Sequence, residues 1–361
     1  MHRSPYRAIP IALILAIGSF AVAACGSSDN NTTSSSAGAA STSTAAKPAG
    51  KKIKVGLVTD IGGLNDRSFN ALANKGLNDA KSSLGIDGRV LISKSNADYV
   101  PNLTTLAQQK YDLVIGVGFL MADAVATVAS KFPTTKFAII DSPAGDLKGK
   151  PKNVQGLLFK EQEAGYLVGY AAGLWTKLHP IDGKQVVGSV GGIKIPPVDR
   201  YIAGFQFGAK KADPSVKTLN GYSQDFVDQA KCKEIALDQI SKGAKVVFQV
   251  AGQCGLGAID AAKEKSMQAI GVDADQSYLG PEILTSALKK VDVAVTKEIK
   301  AVQDGTYKGG TDTLNTVANN GVGIGKISQA GQKYASQVKQ VQDQLASGQI
   351  TPPDKVTASG T

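Results

Sequence analysis

Histidine is nearly absent from this chain, with two residues in 361: His2 near the start and His179 beside Pro180. A catalytic imidazole or a histidine-bearing metal site therefore has little material to draw on, and His179 is expected at the surface. The G-x-x-x-x-G-K-S/T pattern of a phosphate loop is missing, and so is the G-x-G-x-x-G of a dinucleotide turn, so no such cofactor is expected. Beyond residue 25 no apolar run approaches the ~20 residues of a membrane-spanning helix. Lysine and arginine (40) outnumber aspartate and glutamate (30). These basic residues are scattered, and no basic stripe interleaved with aromatics marks a nucleic-acid surface. The excess reads as a solvated basic surface facing an anionic membrane. Cysteine is sparse too, at Cys25, Cys232 and Cys254.

What surrounds Cys25 is informative. Arg3 and Arg7 precede an apolar run from Ala8 to Ala24 that ends Val22-Ala23-Ala24, and a Ser/Thr/Asn/Gly/Ala tract follows Cys25 as far as Gly50. The first part has the layout of a secretory signal. Val-Ala-Ala-Cys resembles the bacterial lipobox, whose cysteine is lipidated and becomes the new N-terminus. The expectation is a signal peptide over 1–24, lipidation at Cys25 and a tether over 25–50, with two or more acyl chains for stable anchoring. In that oxidising compartment the two remaining cysteines are expected to form one disulfide.

About 300 residues remain, enough for two domains. Short apolar runs alternate with longer amphipathic stretches, the pattern of βα units around a parallel sheet. Strands are expected at Ile53–Thr59, Val90–Ser93, Leu113–Val117, Phe137–Ile140, Val186–Val190, Val216–Leu219, Val246–Val250 and Ala269–Val272. Their nearly continuous Val/Ile/Leu/Ala content predicts helices on both faces. Helices are expected at Ser68–Ser83, Met121–Lys131, Glu161–Leu178, Val198–Ala212, Phe226–Lys242, Leu256–Lys265, Val291–Asp304 and Ser328–Ala346. The units are too many for one sheet and suit two α/β lobes joined by several connections. One lobe is expected to hold 51–159 and 281–312, the other 160–280 and 313–347, with a flexible tail over 348–361.

In open parallel sheets ligands bind beyond the carboxyl ends of the strands. Three expected strands end at a carboxylate, Asp60, Asp141 and Asp273, and two at glycine turns, Gly116-Val117-Gly118 and Ala251-Gly252. Any single one of these aspartates could instead be a helix N-cap. The densest turn is V-T-D-I-G-G-L-N-D-R-S-F-N over 58–70, in which Asp66 or Ser68 can cap the next helix and Phe69 stands at the strand ends. Phe226 occupies the corresponding turn of the second lobe. Two phenyl rings facing across a cleft can sandwich a planar base, at roughly 1–3 kcal/mol per stack. Cys232 and Cys254 fall at the same edge of one βαβ unit, so a bridge can span them.

Four segments together resemble the basic membrane protein family of bacterial lipoproteins, purine nucleoside receptors that feed ABC transporters. They are G-L-V-T-D-I-G-G-L-N-D-R-S-F-N, G-A-K-V-V-F-Q-V-A-G-Q-C-G-L-G-A, I-G-V-D-A-D-Q and L-T-S-A-L-K-K-V-D. The resemblance runs from Ile53 to Leu345 and implies a type I periplasmic binding protein fold, two Rossmann-like lobes with crossover hinge strands. It implies that Phe69 and Phe226 sandwich the purine and that Asp60 and Asp141 face the base edge. Gly252, Asp273 and Lys289 would hold the ribose, Asp273 and Lys289 neutralising each other on closure, with Asp275 the alternative to Asp273. Asn65 and Asp66 complete the expected ligand set. A monomeric, lipid-anchored receptor without cofactor or metal follows, delivering its ligand to ABC permease subunits. The alternatives are a receptor for a sugar or other small polar solute, a ligand sensor of the same fold, and a nucleoside hydrolase. The hydrolase is disfavoured because Asp60 and Asp66 are too far apart for a tight metal-binding pair.

Overall fold

The structure, a computed structural model, describes residues 51–179 and 183–356. The expected signal, Cys25 and its tether lie outside the described residues. Strands and helices are numbered along the chain. One sheet contains β1 (Lys54–Val58), β2 (Asp87–Leu91), β3 (Leu113–Gly116), β4 (Lys136–Ile140), β5 (Val154–Phe159) and β11 (Asp312–Asn315). Its order is β11-β5-β4-β3-β1-β2, parallel throughout. The other contains β6 (Val186–Gly191), β7 (Lys217–Tyr222), β8 (Ala244–Val250), β9 (Gln268–Asp273), β10 (Ile283–Lys289) and β12 (Val322–Ile324). Its order is β12-β10-β9-β8-β6-β7, with only the β10–β12 pair antiparallel.

The helices are α1 (Phe69–Leu84), α2 (Tyr99–Gln108), α3 (Ala122–Lys131), α4 (Glu161–Leu178), α5 (Pro196–Ala212), α6 (Gln229–Ser241), α7 (Gly255–Glu264), α8 (Val291–Gln303) and α9 (Ala335–Ala346). They cover both faces of each sheet, which is why strands such as β3 and β8 are buried at every residue. On one face of the first sheet Val58, Val114, Phe137 and Ile139 pack with Leu103 and Leu106 of α2. That helix was not expected from the sequence. Pro101 sits in its first turn, where a missing N–H costs nothing, and Tyr99, Leu103, Leu106 and Ala107 form its buried stripe.

The chain passes between the lobes three times, at Phe159 to Glu161, Lys289 to Val291, and Asn315 to Val322. This corrects the expected partition. The strand at Ile283–Lys289 lies in the second sheet, because its apolar run is buried in register beside β9, and the chain enters the first lobe only with α8. There the Thr296 hydroxyl donates to the Gly76 carbonyl of α1 at 3.0 Å. Conversely Thr313–Asn315 pairs with β5 in the first sheet. Part of the expected tail is also packed: Ile350 and Val356 lie against the core and Pro352 is buried. The expected helix from Ser328 is a 3₁₀ turn (Gln329–Tyr334) followed by α9, with Tyr334, Val338, Val341 and Leu345 buried.

In the second lobe α4 and α5 run side by side at backbone contact. Gly165, Gly169 and Gly173 face the carbonyls of Tyr201, Phe205 and Ala209, while Gly204 and Gly208 face those of Gln162 and Tyr166. A β-carbon on Gly169 would fall inside the Phe205 carbonyl, so only glycine permits this approach. Because the two helices run in parallel, the first turn of α4, bearing Glu161, and the second turn of α5, bearing Tyr201, are fixed together. Gly169→Val should lower the unfolding free energy by about 1–3 kcal/mol in urea denaturation; an unchanged midpoint would contradict the packing.

Candidate functional site

The carboxyl ends of the two sheets face one another across a cavity holding about 610 Å³ of unfilled space, part of it open to solvent. Asp60 lies just past β1 on the first-lobe wall. Its backbone N–H donates to Asn70 Oδ1 at 2.8 Å, and its carboxylate Oδ1 accepts from the Ile61 N–H at 2.7 Å and from the Tyr99 hydroxyl. Burial pushes this carboxyl up to about 6, against the opposing pull of those hydrogen bonds. Opposite Oδ2 stands Gly118 at φ +106°; a β-carbon there would lie 2.6 Å from that oxygen and 3.3 Å from the Phe69 ring. Glycine keeps both the acceptor and the ring edge accessible.

Phe69 opens α1 and lines the cavity half-buried. The turn before it is held by Asp66, whose carboxylate accepts from the N–H groups of Ser68 (3.0 Å), Asn70 (2.7 Å) and Ala71 (3.1 Å). Of the two expected caps, Asp66 does the capping. The Ser68 hydroxyl instead crosses to the other lobe, donating to Asp273 Oδ2 at 2.7 Å. Asn65, expected in the ligand set, is exposed and does not line the cavity; its short 3₁₀ turn points it outward, and Asn70, beside Phe69 on α1, lines the wall instead.

Asp141 and Asp273 both lie at strand ends with left-handed backbone, φ +70° and +59°. Aspartate tolerates that region better than most residues, and the turn aims each carboxylate into the cavity. Lys289, the last residue of β10, is 2% exposed and donates to Asp141 at 2.7 Å and to Glu161 at 2.9 Å. The expected direct pairing of Lys289 with Asp273 is therefore replaced. Tyr201 (3.0 Å) and Ser68 occupy the Asp273 oxygens, while Glu161 takes the place beside the ammonium. Burial pushes the Asp141 carboxyl up, with the Lys289 charge pulling against it and Glu161 adding to the rise. For Lys289 itself burial works against the charge, but the combined fields of Asp141, Glu161 and Asp273 outweigh it and hold the ammonium above the ordinary lysine range. Asp275 does not line the cavity; its carboxylate accepts from the N–H groups of Ser277 and Lys326.

Phe226 lines the cavity from the second lobe, next to Gly252 and Gln253. It precedes α6 instead of opening it, because the Asp225 carboxylate captures the N–H groups of Val227 and Asp228 in a turn and Asp228 caps the helix. Its carbonyl accepts from the Cys254 N–H at 3.0 Å. The structure joins Cys232 and Cys254, with α-carbons 5.6 Å apart. Of the expected ligand residues, the cavity thus brings together Asp60, Asp66, Phe69, Asp141, Phe226, Gly252, Asp273 and Lys289. Sequence reasoning missed Glu161, Tyr201 and Tyr99, all borne on helices where only strand ends were inspected. Among the described residues no group of His, Cys, Asp and Glu has the makings of a metal site, and no helix is long and apolar enough to cross a membrane.

A family model described as ABC transporter substrate-binding protein, PnrA-like, matches residues 53–355. The chain belongs to this Bmp family. As a Bmp protein it is a substrate-binding component of an ABC transporter. It is 33% identical over 327 residues to the ABC transporter nucleoside-binding protein BmpA of Lactococcus lactis, spanning 84% of this chain and 90% of that one. It is 40% identical over 293 residues to an uncharacterized lipoprotein of Pyrococcus abyssi, spanning 78% of this chain and 70% of the relative. Among solved structures it is similar to an ABC transporter solute-binding protein of Aeropyrum pernix. The TM-score is 0.74 at 28% identity, over 83% of this chain and 92% of the other.

Because Asp60 binds its proton more tightly folded than unfolded, its contribution to stability is complete below about pH 4 and is lost as the pH rises through about 6. Asp60→Asn should shrink the loss of unfolding free energy between pH 4 and pH 8 by up to about 3 kcal/mol. Urea titrations of the ligand-free protein at the two pH values measure it; an identical pH dependence in the variant would refute the buried-carboxylate account.

Proposed function

We propose that this Bmp protein captures a purine nucleoside between its lobes at the outer face of the cell membrane and passes it to a permease. The observation that carries the reading is the arrangement of Phe69 and Phe226, which line one cavity from opposite lobes. A flat heterocycle between them would gain roughly 1–3 kcal/mol per stack. Around it the cavity offers carboxylates at Asp60, Asp141 and Asp273 and a single ammonium at Lys289. Such an excess of buried acceptors favours a ligand rich in N–H and O–H donors, because a buried carboxylate without donors is costly. A base edge at Asp60 and Asp141 and a pentose at Asp273, Gly252 and Lys289 would meet that demand. Closure on such a ligand would give a dissociation constant between about 1 μM and 1 nM. The name of the Lactococcus lactis relative supports the same ligand class. No bond needs to be made or broken in this role.

Calorimetry of the protein with purine and pyrimidine nucleosides, free bases and monosaccharides tests it. A purine nucleoside should bind tightest, and Phe226→Ala should weaken it about tenfold or more without changing the fold. Tighter binding of a sugar than of any nucleoside would overturn the ligand assignment.

Membrane attachment through Cys25 belongs to the same reading, supported by the lipobox-like Val22-Ala23-Ala24-Cys25 and by relatives named as lipoproteins. Cys25→Ser should move the protein from the membrane fraction to the soluble fraction of a bacterial host and abolish labelling by a radioactive fatty acid. A variant that stays membrane-bound and labelled would remove the anchor from the proposal.

A further inference from the structure

The two rings of the cavity are held in unlike ways. On the first lobe, the Asp66 carboxylate gathers three N–H groups around Phe69. On the second lobe Phe226 sits in the loop between β7 and α6, whose carboxylate, on Asp225, binds only the loop itself and the exposed Lys231. Upstream, the N–H groups of Ser223 and Gln224 donate to the Gly191 and Gly192 carbonyls at 2.9 and 3.2 Å. Downstream, residues 227–231 are all exposed, and before the fully buried Cys232 the first turn of α6 is met by α7 where Gly257 approaches the Gln229 carbonyl, a contact with backbone and not with a side chain of that turn.

Cys254 meets this segment from two directions. Its N–H holds the Phe226 carbonyl at 3.0 Å, and its sulfur is bonded to Cys232, one turn into the helix that follows. The same turn carries Gly252 and Gln253, which form the cavity wall. Ring, wall and helix start therefore converge on one residue.

We propose that the Cys232–Cys254 bond is a positioning element for ligand capture, holding the Phe226 ring and the Gly252 wall in the geometry that the ligand meets. This inference rests on the cavity being the ligand site and concerns how its second-lobe half is pre-organised. Without the bond, the exposed first turn of α6 frays and takes the loop with it. The ligand must then order the loop itself, which weakens affinity without removing any contact.

The full-length Cys232→Ala/Cys254→Ala variant is compared with wild type in two measurements. In hydrogen exchange without ligand, amides 224–231 should exchange at least tenfold faster, while 68–71, around Phe69, keep their rates; unchanged rates at 224–231 would overturn the proposal. In calorimetry with guanosine and adenosine, the variant should bind about tenfold more weakly, and that penalty should vanish in a Phe226→Ala background. A penalty of equal size in that background would show a general loss of structure and also overturn it. If wild type binds neither nucleoside, the ligand reading fails separately and the exchange result still decides this one. Should the double variant not fold, wild type reduced by a dithiol under native conditions provides the same comparisons.

Discussion

The rest of this structure depends on a buried ammonium. Burying an ion costs several kcal/mol even after relaxation, so Lys289 can stay charged at 2% exposure only if its partners arrive in the right places. The two partners and the ammonium come from the ends of three separate elements: Asp141 beyond β4, Glu161 at the start of α4, and Lys289 itself at the end of β10. Glu161 is held in turn by Arg200 at 3.2 Å. Asp141 belongs to one lobe and Lys289 to the other, so the pair ties the two sheets together beside the cavity. The left-handed turn at Asp141 and the glycine contact between α4 and α5 both serve this convergence. One aims a carboxylate, and the other keeps Glu161 beside Arg200 and Tyr201.

The same charges shape the cavity. Four buried carboxylates line it, and each is occupied at least in part by the protein's own donors: Asp60 by Tyr99 and Ile61, Asp66 by the N–H groups of Ser68, Asn70 and Ala71, Asp141 by Lys289, and Asp273 by Tyr201 and Ser68. The Ser68 contact spans the lobes, from the turn before α1 to the end of β9. Opening the cleft removes a donor from Asp273 and re-exposes that carboxylate to water, whereas the Tyr201 contact lies within one lobe and can persist.

Much of this was legible because a buried parallel strand leaves a plain trace. β1, β3, β4 and β8 read as nearly continuous apolar runs, and inspecting the residue that closes each run led to Asp60, Asp141 and, at the end of β9, Asp273. The less visible strands lie at edges and crossovers. β11 reads Asp-Thr-Leu-Asn and is largely exposed, so hydrophobic patterning could not identify it. β10 is apolar enough, but a run of apolar residues does not say which sheet it joins; that depends on pairing with β9. Residues borne on helices were hidden for another reason. Glu161 and Tyr201 enter the site through the parallel packing of α4 and α5, a tertiary contact whose trace is glycine spacing. Asn65 and Asn70 are five residues apart, but Asn65 is the exposed last residue of a 3₁₀ turn whereas Asn70 lies in the first turn of α1, which the Asp66 carboxylate holds.

The three passages between the lobes have a mechanical consequence. Links standing side by side can flex together about one common line, but they resist twisting and sliding, so the lobes are left with a single soft rotation, like the covers of a book. Glu161 and Lys289 both sit where the chain crosses, close to that line, and groups near an axis travel least. The costliest charges can then remain in contact as the lobes swing, since Lys289 meets Asp141 and Glu161 where the chain crosses.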